Sequence, residues 1–216
     1  RTDPDFFRKR ANADMAYTYQ KIVNEVILRK KLTKVQMMSL RALYPGTKDY
    51  DAFSDKIIEK LIKVSFDAQQ ATDQDQKQKL YNEFKTIALA HIANLEVMML
   101  AKSISNDDVG FGNSGFYEQA EKFIYETIVD GRDGKTYQTA YRVLTFGEEE
   151  VLLKRIHKKG KLYSSKSYEE ENGYYNIHDY RNRSKELTQR IVVDLSIPIS
   201  KVRDKQKDED SLNNRI

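Results

Sequence analysis

The residues most able to do chemistry cluster in one phrase, VDGRDGKTYQTAYRVLTF, residues 129–146. Gly134-Lys135-Thr136 are the three residues that close a phosphate-binding loop, where backbone N–H groups cradle phosphate and the lysine and hydroxyl reach its charge and metal. That loop needs a glycine five positions earlier, and the residue there is Val129. The elements also run in the wrong order: GFYEQAEKFIYETI reads as a helix before the loop, and TAYRVLTF as a strand after it. A phosphate cradle needs the helix to follow. A calcium loop starting at Asp130 fails at its twelfth position, which is Tyr141 and not glutamate. The phrase reads as a glycine-rich turn from helix to strand.

The other reactive side chains are scattered. His91 lies in an apolar helical run without an acidic or histidine partner four residues away, which points to a satisfied core histidine. His157 sits among lysines that would repel a cation. His178 and Asp179 are neighbours, and on a strand they point to opposite faces. Ser114 lacks the Gly-x-Ser-x-Gly elbow of a nucleophile and reads as a helix cap. Glu148, Glu149 and Glu150 are consecutive, so they fan around a helix and do not face one another across a cleft. No catalytic or metal-ligating residue is assigned, and no cofactor is implied.

The most polarised feature is the run Lys154, Arg155, His157, Lys158, Lys159 and Lys161, followed by Tyr163, Tyr168, Tyr174 and Tyr175. Basic groups followed by aromatic rings suit an anionic ligand or a stacked base. The carboxylates of YEEEN in the same region oppose a nucleic-acid backbone, and lysines also suit a helix C-terminus. Nucleic acid is therefore disfavoured. Tyr163–Tyr180 offers a protein or glycan contact surface as the alternative, and packing of the sheet against the helices as the plainer reading. The binding candidates are Lys154, Arg155, Lys158, Lys159, Lys161, Tyr174 and Tyr175.

These residues need a scaffold, and composition bounds it. The chain has 216 residues, 39% hydrophobic and 32% charged, with a formal net charge of +4 that intersperses both signs. A dedicated nucleic-acid binder shows a stronger, clustered excess. No apolar run reaches the roughly 18 residues of a membrane span. Without cysteine there are no disulfides, thiol chemistry or thiolate metal sites. The first residue is Arg1, which fits a removed export signal or a trimmed start.

Residues 1–130 read as helical. Met15, Tyr19, Ile22, Val26 and Arg29 make one face of a long first helix, and Thr33 caps a second that Tyr44-Pro45-Gly46 stops. Phe53, Ile57, Leu61 and Val64 or Ser65 stripe a third. Residues 69–78 read as a connector. The run from Lys77 to Ser105 is one long helix or two broken near Ala90–Asn94. In the next helix Phe116, Ala120, Phe123 and Ile124 point inward. After Asp130 the period changes: TAYRVLTF, GKLYSSKSY, GYYNIHDYRN and LTQRIVVDLSI are strand candidates around the helix GEEEVLLKRI. In the last strand Ile191, Val193 and Leu195 are expected inside, with Arg190 and Asp194 outside. Residues 201–216 read as a flexible charged tail.

The order GRDGKTYQTAYRVLTFGEEEVLLKRI, β segments, then Val193-Asp194-Leu195-Ser196 before Pro198, together with the upstream SLRALYPG, resembles a family of uncharacterised secreted bacterial proteins. There, tetratricopeptide-like helices lead into a small β-containing end. The resemblance implies export to the cell envelope or periplasm, with a lipid anchor upstream of Arg1 as one form, and supplies no catalytic residues. The expected fold is α+β: helical hairpins over 1–130, a small antiparallel sheet over 131–200 sharing their core, and the tail. The expected function is a non-enzymatic interaction or scaffold protein with a protein partner. An anion or nucleic-acid binder through 154–161, and an enzyme with an unrecognised site, are the alternatives.

Overall fold

The computed structural model describes residues 4–157 and 160–213, with side chains for 13–157, 160–207 and 210. The fold is α+β, and the chain divides into two compact units, Arg1–Thr127 and Ile128–Ile216. The first unit is helical: α1 Pro4–Arg29, α2 Lys34–Leu43, α3 Asp55–Gln70, α4 Gln74–Ala90, α5 Leu95–Asp107 and α6 Ser114–Val129, whose end passes into the second.

Thr33 caps α2 as its sequence position suggests. Its hydroxyl accepts from the Gln36 N–H, and the Gln36 side chain accepts from the Thr33 N–H, so two otherwise orphaned donors are met. The α3 stripe is Ile57, Leu61, Val64, Ser65 and Ala68, while Phe53 precedes the helix and is exposed. α1 buries Tyr19, Val23 and Val26, and leaves Arg29 exposed. The connector expected over 69–78 shrinks to residues 71–73, because Asp73 caps α4 by accepting from Gln76 N–H at 2.7 Å. Three residues of connection fold α3 and α4 into an antiparallel hairpin. Asn113 starts α6 in place of Ser114, since its Oδ1 accepts from the Gly115 and Phe116 N–H groups.

The long run from Lys77 to Ser105 is two helices, broken at 91–94, and the break is tied down from several directions. Tyr19 Oη donates to Ala90 O at 2.9 Å, and Arg41 Nη1 donates to Ala93 O at 3.1 Å. Tyr44 Oη meets His91 Nδ1 at 2.8 Å, and Asn94 Nδ2 donates to Ser54 Oγ at 2.8 Å. Backbone leaving a helix inside a core must find partners. Here Tyr19 of α1 and Arg41 of α2 supply them, while Tyr44 and Ser54 hold the His91 and Asn94 side chains. α5 follows with Leu95, Val97, Met98 and Ala101 all fully buried.

The second unit holds β1 Tyr141–Arg142, α7 Phe146–Ile156, β2 Lys161–Glu170, β3 Gly173–Arg181, β4 Leu187–Asp194 and α8 Ser196–Asn213. The sheet order is β1-β4-β3-β2. β2, β3 and β4 are antiparallel as expected, but β1 joins β4 in parallel, so the sheet is mixed. TAYRVLTF contributes only two strand residues, because α7 begins at Phe146 with Thr145 as its cap. β4 lies between two neighbours and Ile191, Val192, Val193 and Asp194 are all buried, so the inward–outward alternation expected there does not occur. Asp194 is inside because it has partners: Arg142 Nε donates to it at 3.0 Å and the Ser196 N–H at 3.0 Å. Where the sequence suggested a tail from residue 201, α8 continues to Asn213. No helix among the described residues is long and apolar enough to cross a membrane.

Candidate functional site

The Gly-Lys-Thr phrase is a closed turn between α6 and β1. Asp133 Oδ1 accepts from the Lys135 N–H at 3.1 Å and from the Thr139 hydroxyl at 2.6 Å, and Thr136 and Thr139 bond each other. Gly134 N–H donates to Thr139 O, and Gly134 O accepts from Val192 N–H at 2.7 Å. Its φ is +64°, and a Cβ there would stand 2.2 Å from the Tyr141 ring. The glycine serves the turn and the sheet contact. Its N–H is spent inside the turn, not offered to a phosphate.

The three glutamates that open α7 separate into three roles. Glu148 is fully buried, and its Oε2 accepts from the Leu144 N–H at 2.7 Å. Glu150 is exposed and pairs with Lys154 at 2.6 Å, which holds its carboxyl below the usual range. Glu149 points at β3. There, alternation puts Asn176 and His178 on one face, and both bond its carboxylate: His178 Nε2 at 2.9 Å, Asn176 Nδ2 at 2.9 and 3.1 Å. Asp179, on the opposite face, is bridged by Arg190 at 2.7 and 2.9 Å, and this pair holds its carboxyl below the ordinary value. Sequence reasoning sent His178 and Asp179 to opposite faces and missed Glu149, which lies 29 residues away across a helix–sheet contact. An imidazole oriented by a carboxylate is a proton-transfer arrangement. Here His178 is buried, and its Nδ1 meets no hydrogen-bond partner among the described residues. The pair fastens α7 to β3. Among the described residues no three His, Asp or Glu side chains converge on a metal position.

The accessible feature of this unit is β2. It is the terminal strand, and every residue from Lys161 to Glu170 is exposed except Ser164, which is half-buried. It pairs with β3 from Lys161↔Arg181 to Glu170↔Gly173, with an irregularity between Leu162 and Ser164. Leu162, Tyr163 and Tyr168 are exposed apolar groups on it, and Arg181 lies 4.0 Å over the Tyr163 ring. At the far end Tyr174 Oη donates to Glu169 at 2.9 Å, and Arg203 of α8 stacks on Tyr174 at 4.4 Å while pairing with Glu169. Arg203, then Tyr174, hold the Glu169 carboxyl below its usual range.

The described members of the sequence-derived binding set take different positions. Lys154 is occupied by Glu150, Arg155 is exposed on α7, and Lys161 starts β2. Lys158 and Lys159 lie outside the described residues. Tyr174 and Tyr175 are adjacent on β3 and diverge. Tyr174 is part of the Arg203 clamp, and Tyr175 is buried with Ala140, Val192 and Tyr137. Set against protein families, curated proteins and solved structures, the chain matches none of them.

Proposed function

We propose that this chain is a non-enzymatic interaction protein that receives an extended segment of a partner protein along the free edge of β2. The observation that carries the reading is the strand itself: a terminal strand of ten residues whose outer backbone groups pair with no other described strand. Such an edge gives main-chain hydrogen bonds to an added strand, and the side chains beside it give selectivity. Leu162, Tyr163 and Tyr168 supply apolar contact, and Lys166 at mid-strand with the irregularity at Tyr163 restrains indiscriminate pairing. The resemblance to secreted bacterial proteins with tetratricopeptide-like helices supports placing this activity in the cell envelope. The basic run 154–161 carries less, because its Lys154 is already neutralised by Glu150.

The test is site-specific photocrosslinking in the cells that make the protein. A photoreactive residue at Tyr163 or Tyr168 is expected to give the same discrete protein adduct, in the envelope fraction, and one at exposed Lys63 of α3 none. Alternate residues of β2 turn their N–H groups outward. One of Ser165→Pro and Lys166→Pro therefore removes an outward donor while leaving the β3 ladder intact, and that variant is expected to lose the adduct. Adducts equal at Lys63, or absent from β2, would rule the reading out.

A further inference from the structure

The helical unit carries a groove of about 210 Å³ between α1, α4 and the start of α6. Its walls are Val26 and Ile27 of α1, Leu89 of α4, and Phe116 and Tyr117 of α6. Two cations stand at it, Lys30 and Lys85. They arrive by different routes. Lys85 precedes Leu89 by four residues on α4, one turn away on the same face. Lys30 is the residue just past the end of α1. Among the described residues neither lysine is paired with a carboxylate, whereas Lys60, Lys102 and Lys122 of the same unit all are.

Gly112 and Asn113 complete the lining. Gly112 has φ +125°, and a Cβ there would come within 2.7 Å of Tyr117 Oη, so the position stays open only as glycine. The Tyr117 hydroxyl is itself taken, donating to Phe111 O at 3.1 Å. What the groove offers a ligand is therefore apolar wall plus the positive charge of two lining lysines. Lys30 is also held at φ +48°, an uncommon conformation for a residue with a side chain.

We propose that this groove binds a small amphipathic carboxylate, an acid with an apolar body of about six to eight carbons, its carboxylate between Lys30 and Lys85. The size follows from the volume. The groove exceeds the roughly 150 Å³ that accepts a benzene ring, and falls short of the roughly 300 Å³ where pockets for drug-sized molecules begin. The sign follows from the two lysines, and the apolar body from the five wall residues. This site is independent of the β2 edge.

Calorimetry and amide NMR of the full chain with octanoate, octylammonium and 1-octanol test it, each below its aggregation concentration. Octanoate is expected to bind one per chain and to shift the amides of Leu89, Gly112 and Asn113, with octanol weaker and octylammonium weakest. Lys30 is exposed and Lys85 half-buried, and Lys30→Gln and Lys85→Gln are each expected to weaken octanoate by a factor of about two to five, the range of a partly exposed ion pair. The double variant is expected to bind octanoate no better than octanol. Phe116→Ala, checked for an unchanged amide spectrum elsewhere, is expected to weaken octanoate and octanol alike. Equal binding of the three probes, octanoate affinity unaffected by the double variant, or shifts confined to other residues would each overturn the proposal. In that case the lysine stems merely cover apolar surface.

Discussion

Replacing Glu149 with alanine removes the acceptor of three hydrogen bonds, one from His178 and two from Asn176, inside the contact of α7 with β3. The His178 and Glu149 side chains are 6% and 14% exposed, so water cannot fully replace the lost partner. Leaving buried polar groups without their partner costs about 1–3 kcal/mol. Urea unfolding of Glu149→Ala is expected to show a loss of that size, and Glu149→Gln, which keeps an acceptor, a smaller one. His91 makes a different prediction. Burial lowers its pKa below 6.5, and Asp49 and Asp51 oppose this without reversing it. The unfolded chain therefore takes up a proton as pH falls through 6.5 before the folded chain does. Stability from this residue is present above that pH and declines below it, by at most about 1.4 kcal/mol per pH unit. The midpoint of unfolding measured between pH 7.5 and 5.5 is expected to fall with pH, and His91→Gln to flatten that fall.

At the scale of the element, caps and breaks set where helices begin. Thr33→Ala removes an exposed cap of α2 and is expected to cost about 1 kcal/mol. Asn94→Ala acts at a fully buried cap. It deprives the Val97 N–H and the Ser54 hydroxyl together. Leaving buried groups unmatched adds about 1–3 kcal/mol. Chemical denaturation of the two variants side by side is expected to rank Asn94→Ala as the more damaging. An ordering the other way would mean that the 91–94 break is not held as its four side-chain contacts suggest. The strands follow the same logic. β4 tolerates a buried Asp194 only because Arg142 and Ser196 reach it, and β2 remains exposed because nothing described lies beyond it.

Across the whole molecule, burial is uneven, and local stability follows it. In hydrogen exchange the amides of α5 are expected to be slowest in the first unit and those of β4 slowest in the second. Alternate amides of β2 and the turn at 182–186 are expected to exchange fastest among the strand residues and their turns. Exchange as slow along all of β2 as along β4 would show its edge covered in solution, by a second copy or by another chain.

Much of this architecture is legible from local pattern. Thr33 before an apolar run with Gln36 three residues on, the glycines and asparagines of 110–115, and the change of period after Asp130 each specify their structure within a few residues. That is enough for the α+β class, for α2, α3 and α7, and for β2, β3 and β4. What depends on distant residues is not legible there. The sequence does not state that Arg41 and Tyr44 will fasten the break at 91–94, that Asp194 is inside, or that Glu149 and not Asp179 meets His178. Nor does it place Lys30 and Lys85 beside one apolar groove. Spacing along a chain determines which face a side chain takes. Only the packing of elements decides what that face meets, because the groups that satisfy a buried charge or line a groove arrive from segments tens of residues away.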